Sequence, residues 1–304
     1  MAEQDISRRH ALILALCTHA MWGSMPVYLL LVKNVPPLEY VAWRTFFTLP
    51  ICLFFLTRAR RLGELQRTLA NLRTMRTLVA TSALIAVNWF LYVWAIQNDQ
   101  VYAASLGYYV LPLAMMVLGV VFLKERISRA QTGAVLLAFI GVAALSVGAL
   151  TTLWLSVAVA LSFGIYGLLR KTVEAGPLIG LTCESIILLP FVIAYLGWVQ
   201  AGGGGVALGR DFVETLAILL GGAVTAIPLL MFTTAARALP YTTIGFLQFI
   251  SPTIVFILGL TVFQQVMKPA QLVCFVLIWI AIALFSWDMF QNARRARIAR
   301  AARL

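Results

Sequence analysis

Charge is scarce in this sequence. Only 11% of its 304 residues are charged, and only 11 residues are acidic, whereas soluble domains are about a quarter charged. A water-soluble fold of this size would lack a polar coat, which excludes an ordinary soluble enzyme, a disordered regulator and a secreted scaffold. Histidine is almost missing too. His10 and His19 have no metal-site spacing. The four cysteines, Cys17, Cys52, Cys183 and Cys274, lie in apolar stretches without a CxxC pair, so neither disulfides nor zinc are expected. Cys17 follows Leu14-Ala15-Leu16, but a bulky leucine before it spoils a lipoprotein site, and it reads as a small buried apolar residue. No GxxxxGK[ST], GxSxG or HExxH is present, so nucleotide hydrolysis, catalysis and a bound cofactor are not expected. The net charge of +12 does not point to nucleic acid, because the basic residues are spread as topology signals rather than gathered on one face.

What fills the chain instead is hydrocarbon, with 62% of residues from the set AVILMFWYC. Ten apolar runs lie at 11–32, 38–57, 77–97, 101–123, 131–149, 152–169, 178–199, 213–236, 241–263 and 270–289. Each can cross a hydrocarbon core of about 30 Å as a helix, the only form that pairs its own backbone in lipid. The first run is too long for a signal peptide and no small-x-small site closes it, so it is expected to be retained. Ten crossings return the chain to its starting side. That side holds 19 Lys and Arg, against Lys33, Arg210 and Lys268 on the other. The positive-inside rule then makes both termini cytoplasmic, in a bacterial inner membrane. The 58–76 segment sets Leu62, Leu65, Leu69 and Leu72 on one helical face among arginines, which suits either a helix on the inner leaflet or a solvated extension of a span. Gly202 to Gly205 reads as a flexible linker.

The chain also resembles itself. At an offset of 140 residues Pro37 falls on Pro177, Pro50 on Pro190, Pro112 on Pro252, Gly119 on Gly259, and Ala130-Gln131 on Ala270-Gln271. Trp22-Gly23 meets Phe163-Gly164 after a one-residue gap. Five spans per repeat is an odd number, so the second copy must be threaded upside down. Inverted repeats are an architecture of secondary carriers, whose solute site lies near midplane at the repeat interface.

Ionisable groups inside spans are expensive and usually functional. Arg44 and Glu184 are two such groups, again 140 residues apart. The expectation is that each lines one end of a central cavity; the alternative is that each is a satisfied helix–helix contact. Asn88 and Tyr92 share a face beside Trp89, and Ser105, Tyr108 and Pro112 share another. Gln248 is the repeat counterpart of Tyr108, and His19, Trp22 and Tyr166 add further polar-tipped groups. Trp22, Arg44, Asn88, Tyr92, Ser105, Tyr108, Tyr166, Glu184 and Gln248 are therefore the candidate cavity residues, suited to a small amphipathic solute. Glu184 is the candidate proton site. Pro112 and Pro252 are candidate hinges, since a helical proline frees a carbonyl one turn earlier. Asp288 reads as snorkelling to the headgroups.

The stretches NWFLYVWAIQN (88–98), ASLGYYVLPL (104–113), VFLKERI (121–127), YGLLRK (166–171), IPLLMFTTAA (227–236) and GFLQFISPT (245–253) resemble the RarD-type (chloramphenicol-sensitivity) permeases, the EamA-like group of the drug/metabolite transporter superfamily. The resemblance spans nearly the whole chain. It implies two inverted five-helix repeats and carriage of small organic metabolites, often as export. It also implies a cavity lined by spans 1–4 and 6–9 with spans 5 and 10 peripheral, and Arg and Glu at the positions of Arg44 and Glu184. One departure is Lys124-Glu125-Arg126, answered in the second half by Gln264-Gln265-Val266.

The expected fold is thus an all-α membrane protein of ten transmembrane helices in two inverted repeats, residues 1–149 and 150–304. The expected function is secondary transport of small organic or drug-like solutes by alternating access, driven by solute or proton gradients. Rival readings are a solute channel, a non-catalytic membrane subunit of a larger complex, and, more remotely, a membrane enzyme. Oligomeric state is open, since Gly133 and Gly141 offer small-residue packing to a neighbour or within the chain.

Overall fold

The computed structural model describes residues 6–98, 101–147, 153–202, 205–264 and 269–301. Lys268, Gly203, Gly204, and the ends of the fifth and sixth apolar runs at 149 and 152 lie outside them. Among the described residues there are ten helices long and apolar enough to cross a membrane. They start where the local chemistry says a helix can start. Helix α1 (Arg8–Leu29) is capped by the Ser7 hydroxyl, and α2 (Pro37–Arg58) opens on a proline at its first turn, where no N–H is needed. A short amphipathic helix, α3 (Leu62–Ala70), follows. There Leu65 is buried while Leu62 and Leu69 remain exposed. Arg61 sits 2.6 Å from Glu64, and its hydrogen bond holds that carboxyl below the usual carboxylate range.

Helix α4 (Leu72–Gln97) begins five residues before the apolar run does, because Asn71 caps it by accepting from the Thr74 N–H. Then come α5 (Val101–Phe122), α6 (Arg129–Ser146) with a Ser128/Gln131 capping box, and α7 (Leu153–Thr172). Helices α8 (Pro177–Ala201) and α9 (Phe212–Ala238) are followed by a ninth span in two pieces, α10 (Tyr241–Leu247) and α11 (Ile250–Thr261). The last helix, α12 (Pro269–Ala301), runs on into the basic tail.

The bundle is organised around non-sequential neighbours. Helix α2 packs on α8 and α9, α1 on α9 and α11, α4 on α7 and α8, α5 on α7 and α10, and α6 on α12. This set of principal contacts is unchanged when each span is exchanged with the one five spans away. Backbone geometry follows the same offset. Lys124 and Gln264, 140 residues apart, both take a left-handed turn, with φ of 55° and 48°, although both carry a Cβ that disfavours it.

The α6–α12 pair sits beside the rest. Gly141 lets α6 approach the Cys274 carbonyl and Leu277 of α12, and Gly133 faces Leu284, so these small residues serve packing within the chain. Asp288 corrects another expectation: it is buried and accepts from the Ser128 hydroxyl (2.8 Å) and Asn292 (2.9 Å). It therefore ties α12 to the cap of α6 rather than snorkelling. Cys17 is exposed, not buried. Phe54, Phe90, Phe191, Trp198 and Phe290 are more than half exposed, the surface expected of a chain solvated by lipid.

Candidate functional site

Two polar clusters lie inside the spans, at opposite depths. Glu184 stands seven residues into α8, about 10 Å in from the face that carries the chain termini. Arg44 stands seven residues into α2, as far in from the opposite face. They do not pair with each other.

The partner of Glu184 is Arg170, which the sequence reading counted among the cytoplasmic charges. Arg170 is 1% exposed and Glu184 2%, and Arg170 Nε lies 3.4 Å from Glu184 Oε1. The guanidinium also donates to the Pro177 carbonyl at 2.9 Å. Thr81 of α4 donates to Glu184 Oε1 at 2.6 Å, and Tyr166 to Oε2 at 3.3 Å. Three spans thus converge on one carboxylate. Gly180, one turn before Glu184, makes room: a Cβ there would fall 1.7 Å from Arg170 Nη1. Arg170, Thr81 and Gly180 went unrecognised in the sequence. The usable signal was spacing, since Tyr166 and Arg170 are four apart on one helix and Gly180 and Glu184 four apart on the next.

Arg44 has a different environment. Its guanidinium lies over the Trp89 ring, 4.4 Å from the centroid, and its buried Nε has no hydrogen-bond partner. The titratable groups facing it are Tyr40, Tyr92 and Tyr108, with no carboxylate among them. Tyr92 and Tyr108 pack edge to face at 5.7 Å. Tyr108 is 38% exposed and Ser105 is exposed as well. The lipid-facing side of α5 is marked by exposed Val117 and Val121. Nine residues, two and a half helical turns, separate Tyr108 from Val117, so Tyr108 points the other way. Pro112 and Met115, four and seven residues on along the same side of α5, are buried, so the exposed surface of Tyr108 is on the bundle-facing side. A separate small cleft, with room for about one water, is lined by Ile85, Leu181, Leu188 and Leu229 together with Thr45, Thr48, Trp89, Glu184, Ser185 and Thr225.

The remaining candidates are placed as follows. Asn88 is buried and donates to the Val159 carbonyl (2.8 Å) and the Ser162 hydroxyl (3.1 Å), tying α4 to α7. Trp22 packs against Phe163 and Phe232, at 5.6 and 5.5 Å between ring centres. Gln248 is buried with its Oε1 unpartnered, as are both ring nitrogens of His19. The ninth span breaks at Gln248–Phe249, one turn before Pro252, where the missing proline N–H leaves the Gln248 carbonyl to accept from the Ser251 N–H instead, at 3.2 Å. Pro112, by contrast, sits inside an unbroken α5.

The termini-bearing face is cross-braced. The Glu125 carboxylate accepts the backbone N–H groups of Tyr241 (2.5 Å) and Thr242 (2.8 Å). Lys171 caps the carbonyls of Ala236 and Leu239, both at 2.6 Å. Arg237 donates to the carbonyls of Val173 and Ala175. The turn at Lys124 aims Glu125 at α10, joining the two halves of the sequence. Glu125→Ala is expected to orphan both N–H groups and cost about 1–3 kcal/mol, read as a lowered unfolding midpoint of the purified protein. An unchanged midpoint would remove Glu125 as a brace.

Comparison with known proteins points one way. The model of the EamA-like transporter family matches residues 9–147. The RarD protein of Streptomyces exfoliatus is 35% identical over 290 residues, which cover 95% of this chain and 92% of that protein. An uncharacterized transporter of Pseudomonas aeruginosa is 36% identical over 293 residues, covering 94% and 96%. The RarD protein of Escherichia coli is 33% identical over 295 residues, covering 94% and 97%. A solved crystal structure superposes with a TM-score of 0.70 at 16% identity, covering 92% of this chain and 98% of its own, which is a likeness of fold.

Proposed function

Because the chain belongs to the EamA-like transporter family, as a RarD-type member, we propose that it moves small organic solutes across the bacterial inner membrane by alternating access. The observation that carries this reading is the asymmetry between the two polar clusters. In the Arg44 cluster Tyr108 is partly exposed on the bundle-facing side of α5, while the Glu184 cluster is fully buried behind a cross-braced opposite face. A carrier caught in one of its two states has this form. The 140-residue offset, shared by the helix contacts and the left-handed turns at Lys124 and Gln264, supports two inverted halves, residues 1–149 and 150–304, as the moving parts. The charge asymmetry of the loops favours cytoplasmic termini, so the braced face is the inner one. Trp22, Arg44, Tyr92, Ser105, Tyr108 and Gln248, whose Oε1 is unpartnered, are proposed to meet the solute, and Asn88 to hold α4 against α7 beside it. The break one turn before Pro252 is the proposed hinge, with Pro112 its intact counterpart in this state.

Glu184 is the proposed proton site. Thr81 of α4 and Tyr166 of α7 donate to its carboxylate and Arg170 of α7 pairs with it, so adding a proton there changes what holds α4, α7 and α8 together. The neutral pair Arg170→Met/Glu184→Gln is expected to transport with little dependence on pH. A pH profile as steep as that of the parent protein would eliminate Glu184 as the coupling group.

The reading as a whole is tested in proteoliposomes containing the purified chain alone, with a panel of amino acids, nucleosides and organic acids. Counterflow, in which unlabelled solute inside accelerates uptake of labelled solute, is expected of a carrier. Flux without trans-stimulation would make it a channel, and no flux for any of the panel would favour a subunit of a larger assembly.

A further inference from the structure

We infer that the Arg44 cluster is a carboxylate site, so that the transported solutes are small organic anions rather than cations or zwitterions. This rests on the carrier reading above and gives it a substrate class. Among the described residues Arg44 is in no ion pair, and its Nε is buried without a partner. The other charges deep in the spans, Arg170 and Glu184, face each other and cancel. Glu39, five residues earlier on α2, is buried and spent on Trp43 and the Ala207 N–H, so Arg44 has no ionic partner among the described residues, which is costly at membrane depth. Stacking on Trp89 at 4.4 Å recovers part of that cost, and it occupies one flat side of the guanidinium while leaving the hydrogen-bonding edge available.

That edge is a planar fork matched to two oxygens of a carboxylate. Beside it stand the phenol groups of Tyr92 on α4 and Tyr108 on α5, which pack edge to face, together with the Trp89 ring. They offer an aromatic cup to a flat or compact apolar body. A zwitterion would also need a carboxylate for its ammonium group. The buried acids of α8 and α2 are both taken: Glu184 is held by Arg170, Thr81 and Tyr166, and Glu39 accepts from Trp43 Nε1 and the Ala207 N–H. A cation would meet Arg44 with no acid to offset it.

The test uses four probes of one shape on the purified protein: phenylacetate, phenylacetamide, phenethylammonium and phenyl phosphate. The apparent affinity is read from the rise in unfolding midpoint with ligand concentration. Phenylacetate is expected to bind, and Arg44→Gln to weaken it by about tenfold or more. Arg44→Lys, which keeps the charge but not the fork, is expected to fall between, and it carries the test if the glutamine variant does not insert. Binding of the amide or the ammonium probe in preference to phenylacetate overturns the anion assignment and leaves the carrier reading intact. Preference for phenyl phosphate overturns the carboxylate assignment. Silence toward all four overturns the inference, and the carrier reading falls with it only if counterflow fails as well.

Discussion

Arg170→Met is expected to destabilise the folded protein by about 3–5 kcal/mol, the usual cost of stripping one partner from a buried ion pair. Both members of this pair are almost completely buried, so the orphaned Glu184 carboxylate would have no water to turn to. Thr81 and Tyr166 would still donate to it, but neutral donors cannot replace a charge. The loss is expected as a sharply lower unfolding midpoint and as impaired insertion. Adding Glu184→Gln should recover most of it, because the double variant buries no charge and methionine fills much of the arginine volume. The two changes are coupled, so their effects should be strongly non-additive. A single variant within about 1 kcal/mol of the parent, or a double variant no better than Arg170→Met, would mean that the pair does not hold these spans together.

Gly180→Ala is expected to disrupt the same cluster from the other side, and the direction of its effect is informative. Glycine inside a helix normally costs about 0.5–1 kcal/mol relative to alanine, so local propensity alone predicts stabilisation. Here the added Cβ would lie 1.7 Å from Arg170 Nη1 and 2.4 Å from its Cζ. Either the guanidinium leaves Glu184 or α8 moves away from α7. Overpacking of this kind costs about 1–3 kcal/mol, and expulsion of the guanidinium adds the penalty of an unpaired carboxylate. In an Arg170→Ala/Glu184→Gln background the obstacle is gone, and Gly180→Ala should return to neutral or stabilising. Thermal unfolding of the four variants decides this. A destabilisation that persists without Arg170 would locate the clash elsewhere.

These two residues also mark where sequence reading stopped short. Arg170 sits next to Lys171 at the end of an apolar run, and the positive-inside rule takes such a pair as loop charge. Lys171 does lie at the helix end, capping carbonyls of α9, but Arg170 turns inward to a carboxylate that is distant in depth from Arg44. The 140-residue offset matches Arg44 with Glu184 in position, and each does stand seven residues into its helix. Symmetry relates positions, not partners: Glu184 is held by α7 and α4, while Arg44 rests on the ring of Trp89. Asp288 went astray for a related reason. Its depth near a helix end allowed snorkelling, and only the arrival of Ser128 from α6 made burial cheaper.

From sequence alone came the number of crossings, the helix starts to within five residues, the 140-residue self-resemblance and the family. Each of these depends on apolar length, on capping and proline chemistry, or on residues compared at a fixed offset, all of which are properties of the chain taken one segment at a time. The tertiary structure decided which embedded charges are paired, which face of α5 is open and which end of the bundle is braced. Those depend on separate helices, some adjacent in sequence and some distant, meeting at a given depth and rotation, and in a low-dielectric interior a partner a few ångströms away outweighs any local preference.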